Sequence, residues 1–289
     1  MKKLSQKGKQ RNRFIWNLLF LLVFTCSCSK NTGTIHWITF IDTNDEHIGE
    51  MNENARKMLY KHFINVIDSS LSLAGYKSEV LDYVGNDVTP EKCIEIINNL
   101  KCEDTDIVVF YYLGHGSHSE NDNTDLPSMM LGEKELVGRA VPLSWVHNNL
   151  TEKRARLVMT IASCSNIEQD LKAIVEAVSV PTIRKSNNQE FSSDNAMSPI
   201  QNAFLCTEGD ILLCAAALGY DAFGGNTTVG NMDFLTAALI NQFEELTNDN
   251  KFSWESLLDG TASQVKNITD SIQVRKQVPL YYYNLRYQE

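Results

Sequence analysis

Past residue 27 the chain has no apolar run of the roughly 20 residues that a membrane-spanning helix needs. It lacks C-x-x-C and H-E-x-x-H spacings, so no zinc motif is legible and no metal is expected. Seven cysteines among 289 residues are too few to staple a chain long enough to bury its own core. Five of them lie beyond residue 28, namely Cys93, Cys102, Cys164, Cys206 and Cys214, an odd number that leaves at least one thiol unpaired within the chain. Cys93 and Cys102 would stand about 13 Å apart on a helix, beyond disulfide reach. There is no internal repeat. Acidic residues are absent from positions 1–27, which hold Lys2, Lys3, Lys7, Lys9, Arg11 and Arg13. The rest carries 20 basic against 36 acidic residues, a charge of −16 that repels phosphate backbones, so nucleic acid is not an expected partner. What remains is an ordinary globular balance, 43% apolar and 21% charged, which excludes a disordered or collagen-like chain.

The cations precede an uncharged run of 12 residues, Phe14 to Thr25. It is too short to span a bilayer and suits the apolar region of a secretory signal. Thr25-Cys26-Ser27-Cys28 follows, and small residues before Cys28 resemble a lipoprotein lipobox, with Cys26 the weaker match. The organisation expected is a signal peptide over 1–27, a tether over 28–34 and one folded domain over 35–289. Lipidation at Cys28 would hold that domain on a membrane of a bacterial cell envelope, on its periplasmic face or at the surface.

Strands and helices alternate through the domain. Ile35–Ile41 and Ser78–Val84 read as strands, Asn52–Leu73 as a helix stopped at Gly75, and Pro90 as the start of another helix. Asp106–Leu113, Arg156–Ala162 and Asp210–Ala217 are continuous apolar runs, the mark of strands buried on both faces of a parallel sheet. Helices are expected near Leu143–Leu150 and over Met232–Leu246 and Trp254–Ile268, with a last strand from Pro279 to Tyr283. Residues 184–202 are polar, lack apolar periodicity and read as a long exposed loop. The pattern specifies an α/β domain with a mostly parallel sheet and helices on both faces.

Ligands of open α/β sheets bind beyond the carboxyl ends of the strands. Two such ends carry chemistry: the strand to Leu113 runs into Gly114-His115-Gly116-Ser117-His118, and the strand to Ala162 into Ser163-Cys164-Ser165-Asn166. A thiol at its reference pKa of about 8.5 is mostly protonated, and a nearby imidazole raises its reactive fraction. If these strands are neighbours, Cys164 is a nucleophile, His115 its base and then the acid for the leaving amine, and the Gly116 N–H an oxyanion donor. Gly-His-Gly lacks the central serine of G-x-S-x-G, which sets a serine esterase aside. His36, His47, His62 and His147 read as structural, and His118 as a rim residue.

Tyr111-Tyr-Leu-Gly-His-Gly116, followed 49 residues after His115 by a strand ending in Ala-Ser-Cys164, resembles the caspase-like cysteine peptidases. Ile48-Gly-Glu-Met-Asn-Glu-Asn-Ala55 is similar to that clan's first helix start, and Gly230–Leu239 to its G-x-F-T-x-x-L helix. The resemblance covers residues 35–250. It implies a caspase-like three-layer sandwich with a six-stranded, mostly parallel sheet, and a cysteine endopeptidase acting on peptide or protein substrates through a Cys-His dyad. It also implies that 184–202 sits at the position of the linker between large and small subunits, either cut during maturation near Arg184-Lys185 or left as an uncut flexible loop.

The departures are equally specific. Metacaspases build an anionic pocket for a basic P1 residue. At the matching positions this chain has Asn54, Leu113 and Ala162, with Asp221 as a further pocket-wall candidate. Without the carboxylates a buried Arg or Lys loses its charge partner, so basic P1 residues are expected to be poor. No equivalent of the arginines that grip an aspartate in caspases is visible. The alternative is an inactive caspase-like protein with a binding or regulatory role. The acidic loop Glu120–Asp125 offers oxygens for calcium, as in some metacaspases, but lacks the EF-hand glycine and distal glutamate, so no cofactor is expected. Metabolic labelling with a fatty acid is expected to mark the chain, and Cys28→Ser to abolish the label while Cys26→Ser retains it; the reverse pattern would move the lipid to Cys26.

Overall fold

The computed structural model describes residues 32–119, 122–132, 140–169, 175–186, 189–191, 197–272 and 275–287. The leader and the first residues of the acidic loop, 120 and 121, lie outside them. Among the described residues no helix is long and apolar enough to cross a membrane.

The centre of the molecule is a sheet built from the β-branched and aromatic runs of the described residues. In chain order β1 (Thr34–Ile41), β2 (Lys77–Val84), β3 (Ile107–Leu113), β7 (Leu157–Ser163), β9 (Thr207–Cys214) and β12 (Leu280–Tyr287) form its body. A two-residue strand β8 (Arg184–Lys185) closes one edge, giving the order β2-β1-β3-β7-β9-β12-β8. All pairs from β2 to β9 are parallel, β12 returns antiparallel on β9, and β8 lies parallel to β12. Beside it stand a three-stranded patch of β4 (Gly116–Ser117), β5 (Ser128–Met130) and β6 (Ala140–Pro142), and a hairpin of β10 (Gly224–Thr227) and β11 (Gly230–Asp233).

Side-chain alternation along the central strands builds two cores. Val109, Tyr111 and Leu113 of β3 join Leu157, Met159 and Ile161 of β7 on one face. There they pack under α1 (Gly49–Leu59), a π-helical turn (Tyr60–Ile64) and α2 (Asn65–Leu73), with α5 (Pro199–Leu205), α6 (Phe234–Asn248) and α7 (Trp254–Ser271). Val108, Phe110 and Tyr112 face the other way with Val158 and Ala162, under α3 (Pro90–Asn99) and α4 (Leu143–Thr151). Both faces are covered, so the strands need apolar residues at successive positions. Edge-to-face rings tie the first layer, with Phe63–Phe243 at 4.8 Å, Phe204–Trp254 at 5.0 Å and Phe252–Trp254 at 5.2 Å. Each such pair adds about 0.5–1.5 kcal/mol to its area burial.

The three-layer α/β architecture matches the expectation, with two corrections. The sheet has seven strands, not six, because Arg184–Lys185 hydrogen-bonds along β12 and the Arg184 guanidinium lies 3.8 Å from the centroid of the Tyr281 ring. Residues 184–202 are accordingly not one exposed loop. Besides β8 they hold Phe191, which is buried and paired with Phe252, and the start of α5. That start is a capping box: the Ser198 hydroxyl accepts from the Gln201 N–H, the Gln201 side chain accepts from the Ser198 N–H, and Pro199 opens the helix. The helix expected from Met232 begins at Phe234, because Asp233 caps it by accepting the Thr236 N–H at 2.8 Å.

One glycine is required by the β9–β12 crossing. Gly209 has φ +125°, and a Cβ there would stand 2.0 Å from the Asn284 carbonyl oxygen. Gly209→Ala is therefore expected to cost at least about 1–3 kcal/mol, read as a fall in the urea midpoint. An unchanged midpoint would show that this crossing relaxes freely.

Candidate active site

The parallel pairing of β3 with β7 sets Leu113 opposite Ser163, and the Gly114 N–H donates to the Ser163 carbonyl at 3.2 Å. The loops carrying His115 and Cys164 thus leave the sheet side by side. Gly116 lies against the thiol: a Cβ on it would fall 2.6 Å from Cys164 Sγ and 2.6 Å from the Ser165 carbonyl oxygen. Only glycine lets this backbone approach the sulfur so closely. Gly116 opposes Met129, and the Met130 N–H donates to the His115 carbonyl at 3.0 Å. In that antiparallel register Gly116 and Met129 are a non-hydrogen-bonded pair, so the Gly116 N–H points away from β5.

The backbone at His115 is held once more. The buried Tyr112 hydroxyl lies 2.6 Å from the His115 carbonyl and 2.8 Å from that of Met130. The Cys164 loop is fixed through buried Asn166, whose side-chain N–H groups donate to the Asp125 and Ala216 carbonyls and whose backbone exchanges bonds with Tyr220 and Gly219. Ser165 Oγ accepts the Ala222 N–H at 3.0 Å. Ser163 donates to the buried Asp233 carboxyl at 2.6 Å. Burial pushes that carboxyl up, opposed by the bonds from Ser163 and Thr236.

The imidazole has a partner the sequence reading missed. His115 Nε2 lies 3.0 Å from Asp45 Oδ2, and the Asp45 side chain is only 5% exposed. Burial pushes the Asp45 carboxyl up, but the N–H groups of His47 and Ile48 outweigh it, aided by His115, and hold it well below the usual carboxylate range. The carboxylate is therefore ionised and can only accept. His115 must carry its proton on Nε2, which leaves Nδ1 as the basic nitrogen. Asp45 sits in the turn after β1 and grips the first N–H groups ahead of α1. A carboxylate three to four residues before a helix start, at the carboxyl end of a central strand, was the signal that could have found it.

Cys164 is 1% exposed, and no hydrogen bond joins its sulfur to the imidazole. Burial alone pushes the thiol up to about 12. Cys164 thus rests as a neutral thiol seated in the core of the second face, beneath Gly116.

The expected pocket residues are not brought together. Leu113 is buried in the core of the first face and Ala162 in that of the second, because the strand ends alternate and the two are not opposite one another. Asn54 lies half-buried on α1. Asp221 is half-buried in the loop beside Ser165 and pairs with Arg275 at 3.7 Å. His118 is buried, and its backbone is tied to Ile167 and Gln169.

The family described as the caspase domain matches residues 64–288, a span that includes both His115 and Cys164. No curated protein matches the chain. Among solved structures, protein GSU0716 from Geobacter sulfurreducens is 12% identical and superposes with a TM-score of 0.40 over 89% of this chain and 94% of that one.

A neutral, buried thiol makes a kinetic prediction. In the unliganded protein, alkylation of Cys164 by iodoacetamide is expected to lag a free thiol by roughly a thousandfold and to rise about tenfold per pH unit from 7 to 9. A rate already level below pH 8 would mean that the imidazole holds a thiolate at rest.

Proposed function

The chain belongs to the caspase-domain family, and on that footing we propose that it is a cysteine endopeptidase in which Cys164 and His115 form the catalytic dyad. The observation that carries this reading is the contact of Gly116 with the Cys164 sulfur, beside an imidazole whose free nitrogen is set by an ionised Asp45. In the reaction Sγ attacks the scissile carbonyl while His115 Nδ1 takes the thiol proton. The oxyanion is met by the Gly116 N–H, which no β5 partner occupies. The protonated imidazole, stabilised by Asp45, then gives its proton to the leaving amine, and water hydrolyses the thioester with His115 again as base. Asp45 acts through His115 as a positioning residue. The lack of a carboxylate at positions 54, 113 and 162 and an Asp221 already paired with Arg275 support a P1 preference that is not basic. The lipobox-like leader supports a peptidase tethered through Cys28 to a bacterial envelope membrane.

A second reading has one observation in its favour. Cys164 is buried and unbonded to His115, as it would be in a binding or regulatory protein that keeps the fold without the chemistry. Covalent capture of Cys164 by a peptidyl ketone bearing a leaving group separates the two.

The deciding assay is cleavage of a peptide library by the full chain in detergent. Cys164→Ala and His115→Ala are expected to abolish cleavage, and Arg or Lys at P1 to be slower than neutral residues. Asp45→Asn is expected to lower kcat about 10²–10⁴-fold and to shift the acidic limb of the pH–rate profile downward, which a purely structural loss would not do. Cleavage that survives Cys164→Ala removes the peptidase assignment, and a basic P1 preference removes the specificity.

A further inference from the structure

At the opposite end of the sheet, before β1 and β3 enter the core, three residues of different chemistry converge. His36 of β1, Cys102 and Asp106 present one ligand atom each, all within 4.8 Å of one another. His36 and Asp106 are buried and Cys102 is half-buried, whereas Glu79 beside them is 52% exposed, so the cluster is reachable from solvent.

The hydrogen bonds around the cluster fix its donors. His36 Nδ1 lies 2.7 Å from Glu79 Oε2. With Nδ1–H donating to that carboxylate, the Nε2 lone pair is turned to Asp106 Oδ2 at 3.4 Å. The Asp106 carboxylate is pinned by the backbone, with Thr34 N–H on Oδ1 and Glu103 N–H on Oδ2, both at 2.7 Å. A charge-assisted bond between imidazolium and carboxylate closes to about 2.7–2.9 Å. A separation of 3.4 Å is longer than that. It equals the edge of a tetrahedron whose centre lies about 2.0–2.1 Å from nitrogen and oxygen ligands. Glu79 then stands where an outer carboxylate orients a metal-bound histidine.

We propose that His36, Cys102 and Asp106 bind one zinc ion, with Glu79 as the outer carboxylate and the fourth position open to water. Nitrogen, thiolate and carboxylate in a tetrahedral set are zinc ligands, and a soft sulfur disfavours calcium or magnesium. The ion would tie β1 to the 102–106 connection and, through Glu79, to the edge strand β2. Coordination by Cys102 displaces its thiol proton.

The test uses the full chain in detergent, stripped by chelator and supplied with zinc or cobalt alone. One zinc per chain is expected, and cobalt is expected to give a thiolate charge-transfer band with tetrahedral visible bands. Cys102→Ser should abolish that band, Glu79→Gln should weaken zinc about 10–100-fold, and Cys164→Ser should retain the full equivalent. Failure of folded wild type to take up stoichiometric metal overturns the site and leaves His36 as a structural side chain between Glu79 and Asp106. Binding that persists unchanged in Cys102→Ser, or is lost in Cys164→Ser, overturns it as well. None of these outcomes bears on cleavage by Cys164, so the site and the peptidase reading fail separately.

Discussion

The parallel register of β3 on β7 is the constraint on which the candidate chemistry depends. It sets Leu113 against Ser163, so His115 and Cys164 leave adjacent strand ends one or two residues later. A shift of one residue would turn Cys164 to the other face of the sheet. The register is held from both sides, because successive residues of each strand are buried in two separate cores. Tyr112 shows the coupling: its ring is fully buried in the second core, and its hydroxyl fixes the carbonyl of the histidine. Packing and site geometry are here one set of contacts.

That rigidity has a consequence for reactivity. Forming a thiolate at pH 7 from a thiol held at about 12 costs on the order of 7 kcal/mol. A preformed ion pair with His115 is thus not the resting state. In the proposed reaction, proton transfer to Nδ1 has to accompany attack, or follow a small displacement that lifts Sγ from beneath Gly116 toward the imidazole. Asp45 lowers the cost of the second half of that step, since an ionised carboxylate on Nε2 stabilises the imidazolium that results. The thiol's burial and the histidine's anchoring therefore act in opposite directions.

How much of this was legible depended on the range of the interaction. The central strands were readable because burial on both faces demands unbroken apolar runs, and His115 and Cys164 because each directly follows such a run. Asp45 was missed: its place before a helix start was a signal, but its meaning depends on meeting a histidine 70 positions away, and Asp42 and Glu46 stand in the same turn. The same holds for the proposed set His36, Cys102 and Asp106, whose spacing matches no metal motif because β1 supplies one residue and the distant 102–106 connection the other two. The α5 start failed for another reason. Ser198-Pro199-Ile200-Gln201 is a local capping signature, but it ends a polar stretch whose composition reads as loop. Leu113 and Ala162 were assigned to one pocket by motif position, which carries no information about which face of the sheet each side chain takes.

The short strand β8 bears on how the molecule meets copies of itself. Without it β12 would present an eight-residue edge with unpaired backbone groups, a template for edge-to-edge association. Arg184 and Lys185 cover part of that edge, anchored by the Arg184 guanidinium on Tyr281 and by the Tyr283 N–H donating to the Ile183 carbonyl at 3.0 Å. Both are cations, which discourages a further strand from adding beyond them. The same dipeptide lies in the segment where subunit-type processing was expected. A peptide bond that is part of a sheet ladder must leave the ladder before a protease can bind it in extended form. Cleavage there would therefore require β8 to detach from β12 first.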